Sequence, residues 1–124
     1  MLANLVIDRA PGRLGCHESL LNGIKRVQWT PFLRKLRGAE YWRLDDAIDA
    51  NLLLLDDIGA SSDSSFSLEQ LYSLLESRIR KWTVITSNLT LEEIGQRMDT
   101  RIASRLIRHN NVCVEVDTVD FSLR

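Results

Sequence analysis

One segment restricts what this chain can fold into more than any other: Leu52 to Leu55 form an unbroken apolar run, and Asp56, Asp57, Ile58 and Gly59 follow at once. A strand covered on both faces reads as a continuous apolar stretch, whereas a strand with one wet face alternates. The run therefore predicts a buried strand of a parallel sheet over Asn51 to Asp56. In open α/β sheets, ligands settle just beyond the carboxyl ends of such strands. Two adjacent acids emerging there suit a Mg²⁺ and phosphate site; the other reading is a buried strand surfacing into a solvated acidic turn.

The remaining apolar runs alternate with helical patterns, as crossover connections of a parallel sheet require. Strands are predicted over Asn4 to Asp8, Val27 to Thr30, Thr83 to Ser87 and Val112 to Val116, giving five with the acidic one. A three-layer α/β domain with a mainly parallel five-stranded sheet follows, and 124 residues suit a single compact domain over 1–124. Ser67 to Gln70 read as a capping-box start, with Leu68, Leu71, Tyr72, Leu75 and Ile79 on one helical face. Thr90 to Glu93 offer a second box, and Asp99 can cap a further helix through Arg108. Pro31 to Arg37 read as a short basic amphipathic helix, and Glu40 to Ala50 as another. The serine-rich loop between Gly59 and Ser67 is either a flap beside a nucleotide or a connector.

A net charge of −1 argues against binding nucleic acid through bulk electrostatics. Thirteen arginines against three lysines present positive charge mostly as planar forks suited to phosphates, carboxylates and subunit contacts. Cys16 and Cys113 make no disulfide framework, and no Cys/His cluster has zinc spacing. No apolar stretch approaches a membrane span and the first residues lack a signal-peptide pattern, so a cytoplasmic protein is expected.

Three further groups carry candidate chemistry. Gly12, Gly15 and Ser19 fall in register with a phosphate-cradling loop of pattern G-x-x-x-x-G-K-S/T, but His17 stands at the second glycine and Glu18 at the lysine. At an effective dielectric near 20, a unit charge about 4 Å from another is worth roughly 4 kcal/mol, so glutamate there both removes an attraction and adds a repulsion. Asn88 closes a β-branched strand where an amide can orient a water against a terminal phosphate, or it is simply a residue of the turn into the next helix. Arg101, Arg105 and Arg108 stand at i, i+4 and i+7, as an arginine finger for a neighbouring subunit or as a solvated basic face.

In this order, the segments resemble the AAA+ ATPases of the bacterial helicase-loader and transposition-helper group, the DnaC/IstB-like proteins. The run ending in Asp56 and Asp57 is similar to the Walker B segment, Val84 to Thr90 to sensor 1, Asp99 to Leu106 to the box carrying the arginine finger, and the stretch through Asp120 and Phe121 to the closing strand. The resemblance implies a P-loop NTPase (AAA+) core without a separate lid domain, and ATP and Mg²⁺ as cofactors. By it, Gly12 and Gly15 would cradle phosphates, and Ser19 and Asp56 would hold Mg²⁺. Asp57 would take the place of the water-polarising acid, usually glutamate. Asn88 would position the water, Arg105 would reach the neighbouring subunit's nucleotide, and Arg101 and Arg108 would flank that interface. Implied partners are a replicative helicase or a transposase, with single-stranded DNA and a homo- or hetero-oligomer through the arginine face as further candidates. The implied setting is DNA replication or transposition. The alternative is a nucleotide-independent pseudo-ATPase adaptor that keeps the fold and the arginine face, since His17 and Glu18 replace the phosphate-loop glycine and lysine.

Overall fold

The computed structural model describes residues 2–8, 23–60, 64–108 and 111–117. Five strands form one sheet: β1 (Leu2–Asp8), β2 (Ile24–Gln28), β3 (Leu52–Ile58), β4 (Trp82–Ser87) and β5 (Val112–Asp117). Among them lie α1 (Trp29–Arg37), α2 (Trp42–Asp49), α3 (Ser65–Ser77), α4 (Leu91–Arg97) and α5 (Thr100–Leu106). The predicted strands are all present, shifted or lengthened by one to three residues at their ends.

Spatial order along the sheet is β2-β3-β4-β1-β5. β2, β3 and β4 are mutually parallel, with Val27 opposite Leu55 and Leu55 opposite Ile85. β1, however, is antiparallel to both neighbours, pairing Asn4 with Ser87 and Asp8 with Thr83 on one side and Leu5 with Val114 on the other. This corrects the expectation of a mainly parallel five-stranded sheet, since only the β2-β3-β4 trio is contiguous and parallel. Strand direction is fixed by which backbone groups pair across the sheet, and antiparallel pairing is slightly the more stable per residue. An apolar run such as Leu5 to Ile7 carries no sign for direction. Asp8, the last residue of β1, thus stands at the amino end of β4, the sheet edge opposite to Asp56.

The helices explain the burial. Leu53 and Leu55 of β3 and Ile85 of β4 are buried on one sheet face, and a single core joins them to Trp29, Phe32, Leu33 and Leu36 of α1, Leu71, Leu74 and Leu75 of α3, Ile94, and Ile102 and Leu106 of α5. Leu52 and Leu54 on the other pleat are only half-buried. The described helices therefore build one layer against one face; the third layer expected from the sequence is not seen among the described residues. In α3 the expected face packs on the core, with Leu71 and Leu75 buried and Leu68 and Tyr72 partly buried against it. Leu74 joins the buried stripe, the C-cap residue Arg78 is buried just past the helix, and Ile79 is exposed because α3 ends at Ser77. Its cap is also earlier than expected, because the Ser64 hydroxyl accepts from the Ser67 amide at 3.2 Å. The Thr90 capping box is present in full, with Thr90 accepting from the Glu93 amide and Glu93 accepting from the Thr90 amide, each at 3.2 Å. Asp99 caps α5 by accepting from the Arg101 amide at 2.7 Å, and the helix ends at Leu106 rather than at Arg108.

Candidate functional site

The parallel trio sets β3 and β4 side by side with their carboxyl ends at one edge. Pairing jumps from Leu55–Ile85 to Ile58–Ser87, so Asp56 and Asp57 together oppose the single residue Thr86. Such a bulge inserts one residue, bends the strand and re-aims side chains, and bulges are common beside functional sites. Asp57 absorbs the extra residue with φ +59°, the left-handed region that aspartate tolerates at a cost of about 1–2 kcal/mol.

Thr86 holds the bulge together. Its hydroxyl accepts from the Asp57 amide at 3.1 Å and donates to Asp56 Oδ1 in a short hydrogen bond. Asp56 Oδ2 accepts from the Arg26 guanidinium of β2 at 2.8 Å. The pair is diagonal across neighbouring strands, since Arg26 is registered with Leu54, two residues before Asp56. Arg26 foremost, then Thr86, holds the Asp56 carboxyl below the usual aspartate range. Just past the end of β3, Gly59 turns the chain with φ +79°, and a Cβ there would lie 2.6 Å from Leu89 Cδ1. The buried Ser87 hydroxyl donates to the Ile58 carbonyl at 2.7 Å and accepts from the Leu89 amide at 3.1 Å, locking the two strand ends.

Asp56, Asp57 and Asn88 thus emerge at one edge. Asp57 and Asn88 are exposed, and Asp56 is mostly covered by its partners. Chemically the edge offers two carboxylates and a carboxamide to solvent, with one carboxylate already engaged on both oxygens. Among the described residues no group of three or more His, Cys, Asp or Glu is arranged to hold a metal ion. Gly12, Gly15, His17, Glu18 and Ser19 lie outside the described residues.

The arginines divide. Arg105 turns inward: its side chain is 13% exposed, it forms a close ion pair with Glu76 of α3, and it lies over the Tyr72 ring at 5.8 Å. Arg101 grips Asp99 through Nε and a terminal nitrogen, the latter at 3.0 Å, and makes its own cation–π contact with the Tyr72 ring at 4.9 Å. The Arg101 side-chain hydrogen bond, and then the Arg101 amide, hold the Asp99 carboxyl below its ordinary range. Arg108 is exposed just beyond the helix end. All three nevertheless line one shallow cleft of about 330 Å³ with Tyr72 and Ser104.

Sequence reasoning missed the partners: Arg26 on Asp56, Thr86 bridging both acids, and Glu76 and Tyr72 on Arg105. Thr86 was signalled, since a hydroxyl one register step past Ile85 faces whatever follows Leu55. The other three pairs join separate elements and leave no local trace. Comparison with protein-family models, with curated proteins and with solved structures gives no match.

Proposed function

We propose that the chain is an ATPase-like module of the AAA+ helicase-loader or transposition-helper class, serving DNA replication or transposition. The observation that carries this reading is the bulged β3 end, where Asp56 and Asp57 leave the sheet beside Asn88 at the carboxyl edge of a parallel trio. Parallel strands direct ligands to that edge. A Mg²⁺ ion takes one or two carboxylates and completes its shell with phosphate oxygens and water, so Asp56 can serve as its carboxylate ligand. The fit has a condition: Arg26 must leave Asp56, because a guanidinium at 2.8 Å opposes a dication on the same carboxylate. Mg-ATP bound here would bring a phosphoryl group to be hydrolysed. Asp57, whose side chain has no partner among the described residues, would orient a water, and Asn88 would position it. Arg105 would serve a neighbouring subunit once released from Glu76, with Arg101 and Arg108 at the rim.

A second reading, the nucleotide-independent adaptor, is favoured by specific contacts. Arg26 occupies Asp56 and Glu76 occupies Arg105, so both groups the chemistry needs are satisfied within the chain. Glu18 adds charge of the wrong sign at the phosphate loop. Calorimetric titration of the full chain with Mg-ATP separates the two. The ATPase-like reading expects micromolar binding, weakened at least about tenfold, or about 1.4 kcal/mol, in Asp56→Asn. Absence of heat at millimolar nucleotide overturns it and leaves the adaptor.

A further inference from the structure

We propose that the outer rim of β2 docks an extended, acidic peptide segment of a partner protein as an added strand, with Lys25, Arg26, Lys35 and Arg43 as its cation set. This surface shares Arg26 with the acid edge but does not include Asp57, and it extends beyond the function proposed above.

β2 ends the sheet order, and none of the described strands pairs with its far side. In a parallel pair alternate residues turn N–H and C=O away from the partner, so an end strand presents a row of unpaired backbone groups. A groove of about 360 Å³ runs along this rim. Four consecutive β2 residues, Lys25 to Gln28, line it, and consecutive residues point to opposite pleats, so the groove follows the strand edge and not one face. Helix α1 contributes Lys35 and α2 contributes Arg43, and no carboxylate among the described residues belongs to the lining. In a chain of net charge −1 this is a local concentration of positive charge.

Three of the four cations already hold carboxylates that stand outside the groove: Lys25 with Asp46, Arg26 with Asp56 and Arg43 with Glu40. Exposed pairs of this kind are worth little and exchange readily with an incoming acid. Lys35 is exposed and has no carboxylate partner among the described residues. Burial, and then the nearby charge of Arg43, lower the Lys25 pKa. Main-chain pairing supplies affinity in strand addition, and side-chain complementarity selects the sequence. Single-stranded nucleic acid is the less suited occupant, because its binding relies on exposed rings on which bases stack. Phe32 in the lining is buried, and the exposed Trp42 ring beside the groove is already covered by the Arg43 guanidinium at 4.5 Å.

The test uses the full chain and a fluorescent, acetylated and amidated octapeptide of alternating Glu and Thr, read by anisotropy. Two further versions carry N-methyl groups on the Glu residues only or on the Thr residues only, so that each blocks one edge of the peptide. Saturable binding is expected, lost for one methylated version and kept for the other. Lys35→Glu should weaken it at least about tenfold, whereas Arg34→Glu should not. Arg34 is an exposed neighbour on the same helix outside the groove, so it matches the change in net charge and in helix-end electrostatics. The methylated probes need no variant, and Arg43→Gln is a second substitution should Lys35→Glu unfold. Equal binding of both methylated versions, equal loss in the Arg34 and Lys35 variants, or no peptide binding overturns the proposal and leaves the cations as guards of an open edge. Oligothymidylate binding that Lys35→Glu abolishes, with no peptide binding, overturns it in favour of nucleic acid.

Discussion

The two ends of the β2-β3-β4 trio solve the same electrostatic problem in opposite ways. At the amino end, Arg78 is 1% exposed. Its guanidinium donates to the carbonyls of Ala47, Ile48, Ala50 and Trp82 at 2.7–3.0 Å and to the Thr83 hydroxyl at 2.9 Å. The last carbonyls of a helix have no partner within it and carry partial negative charge, so a cation there satisfies the end of α2 and ties it to the start of β4. Lys81 adds a bond to the Ile48 carbonyl at 2.8 Å. At the carboxyl end, the Arg26–Asp56 pair has one partner 61% exposed and sits beside a bulge with a left-handed aspartate. A charge enclosed by carbonyls is a fixed structural joint. A charge pair open to water is cheap to rearrange, which is what a ligand-binding edge requires.

Breaking the buried joint should have the largest effect. Arg78→Met keeps a long apolar stem but strands several buried carbonyls, and a loss of about 3–5 kcal/mol in urea unfolding is expected. A loss below about 1 kcal/mol would show that water or a neighbouring side chain replaces the guanidinium, and the contrast between the two ends would fail. Next comes the turn behind the acids. Gly59→Ala forces a Cβ into a left-handed position and against Leu89, and should cost about 1–3 kcal/mol with a lowered melting temperature.

The smallest effect sharpens the open end. Thr86→Val removes the bonds to Asp56 Oδ1 and to the Asp57 amide, for about 1 kcal/mol at neutral pH. Because Asp56 is held below its ordinary value when folded, its contribution is fully present above the unfolded pKa of about 4 and is lost as pH falls through the lower folded value. The stability gap between wild type and variant should therefore narrow as pH is taken below about 4, leaving the part owed to the Asp57 amide. A carbon-13 titration of the Asp56 carboxyl should move upward in the variant. An unmoved titration would remove Thr86 from the network.

Much of this was legible before any coordinates. The apolar run at Leu52 to Leu55 located β3, and the acids after it located the edge from which they emerge. Thr90 with Glu93, and Asp99 before α5, named their helix starts because a cap is a local bond between residues two or three apart. The α3 start was misplaced by three residues because its serines at 64 and 67 are both competent caps, and packing selected Ser64. Arg78 was signalled faintly: it stands seven residues after Leu71, on the stripe with Leu74 and Leu75, and a charge on a buried stripe has to find partners.

By itself the sequence determined the α/β alternation, the parallel-type β3 strand and the acid pair at its exit, since periodicity and capping are short-range and written in neighbouring residues. Only the tertiary structure decided that β1 runs against β4, that Arg26 holds Asp56 and that Glu76 holds Arg105. Those outcomes depend on which distant backbone edges and charges meet, and each joins residues separated by more than a strand or helix length of chain.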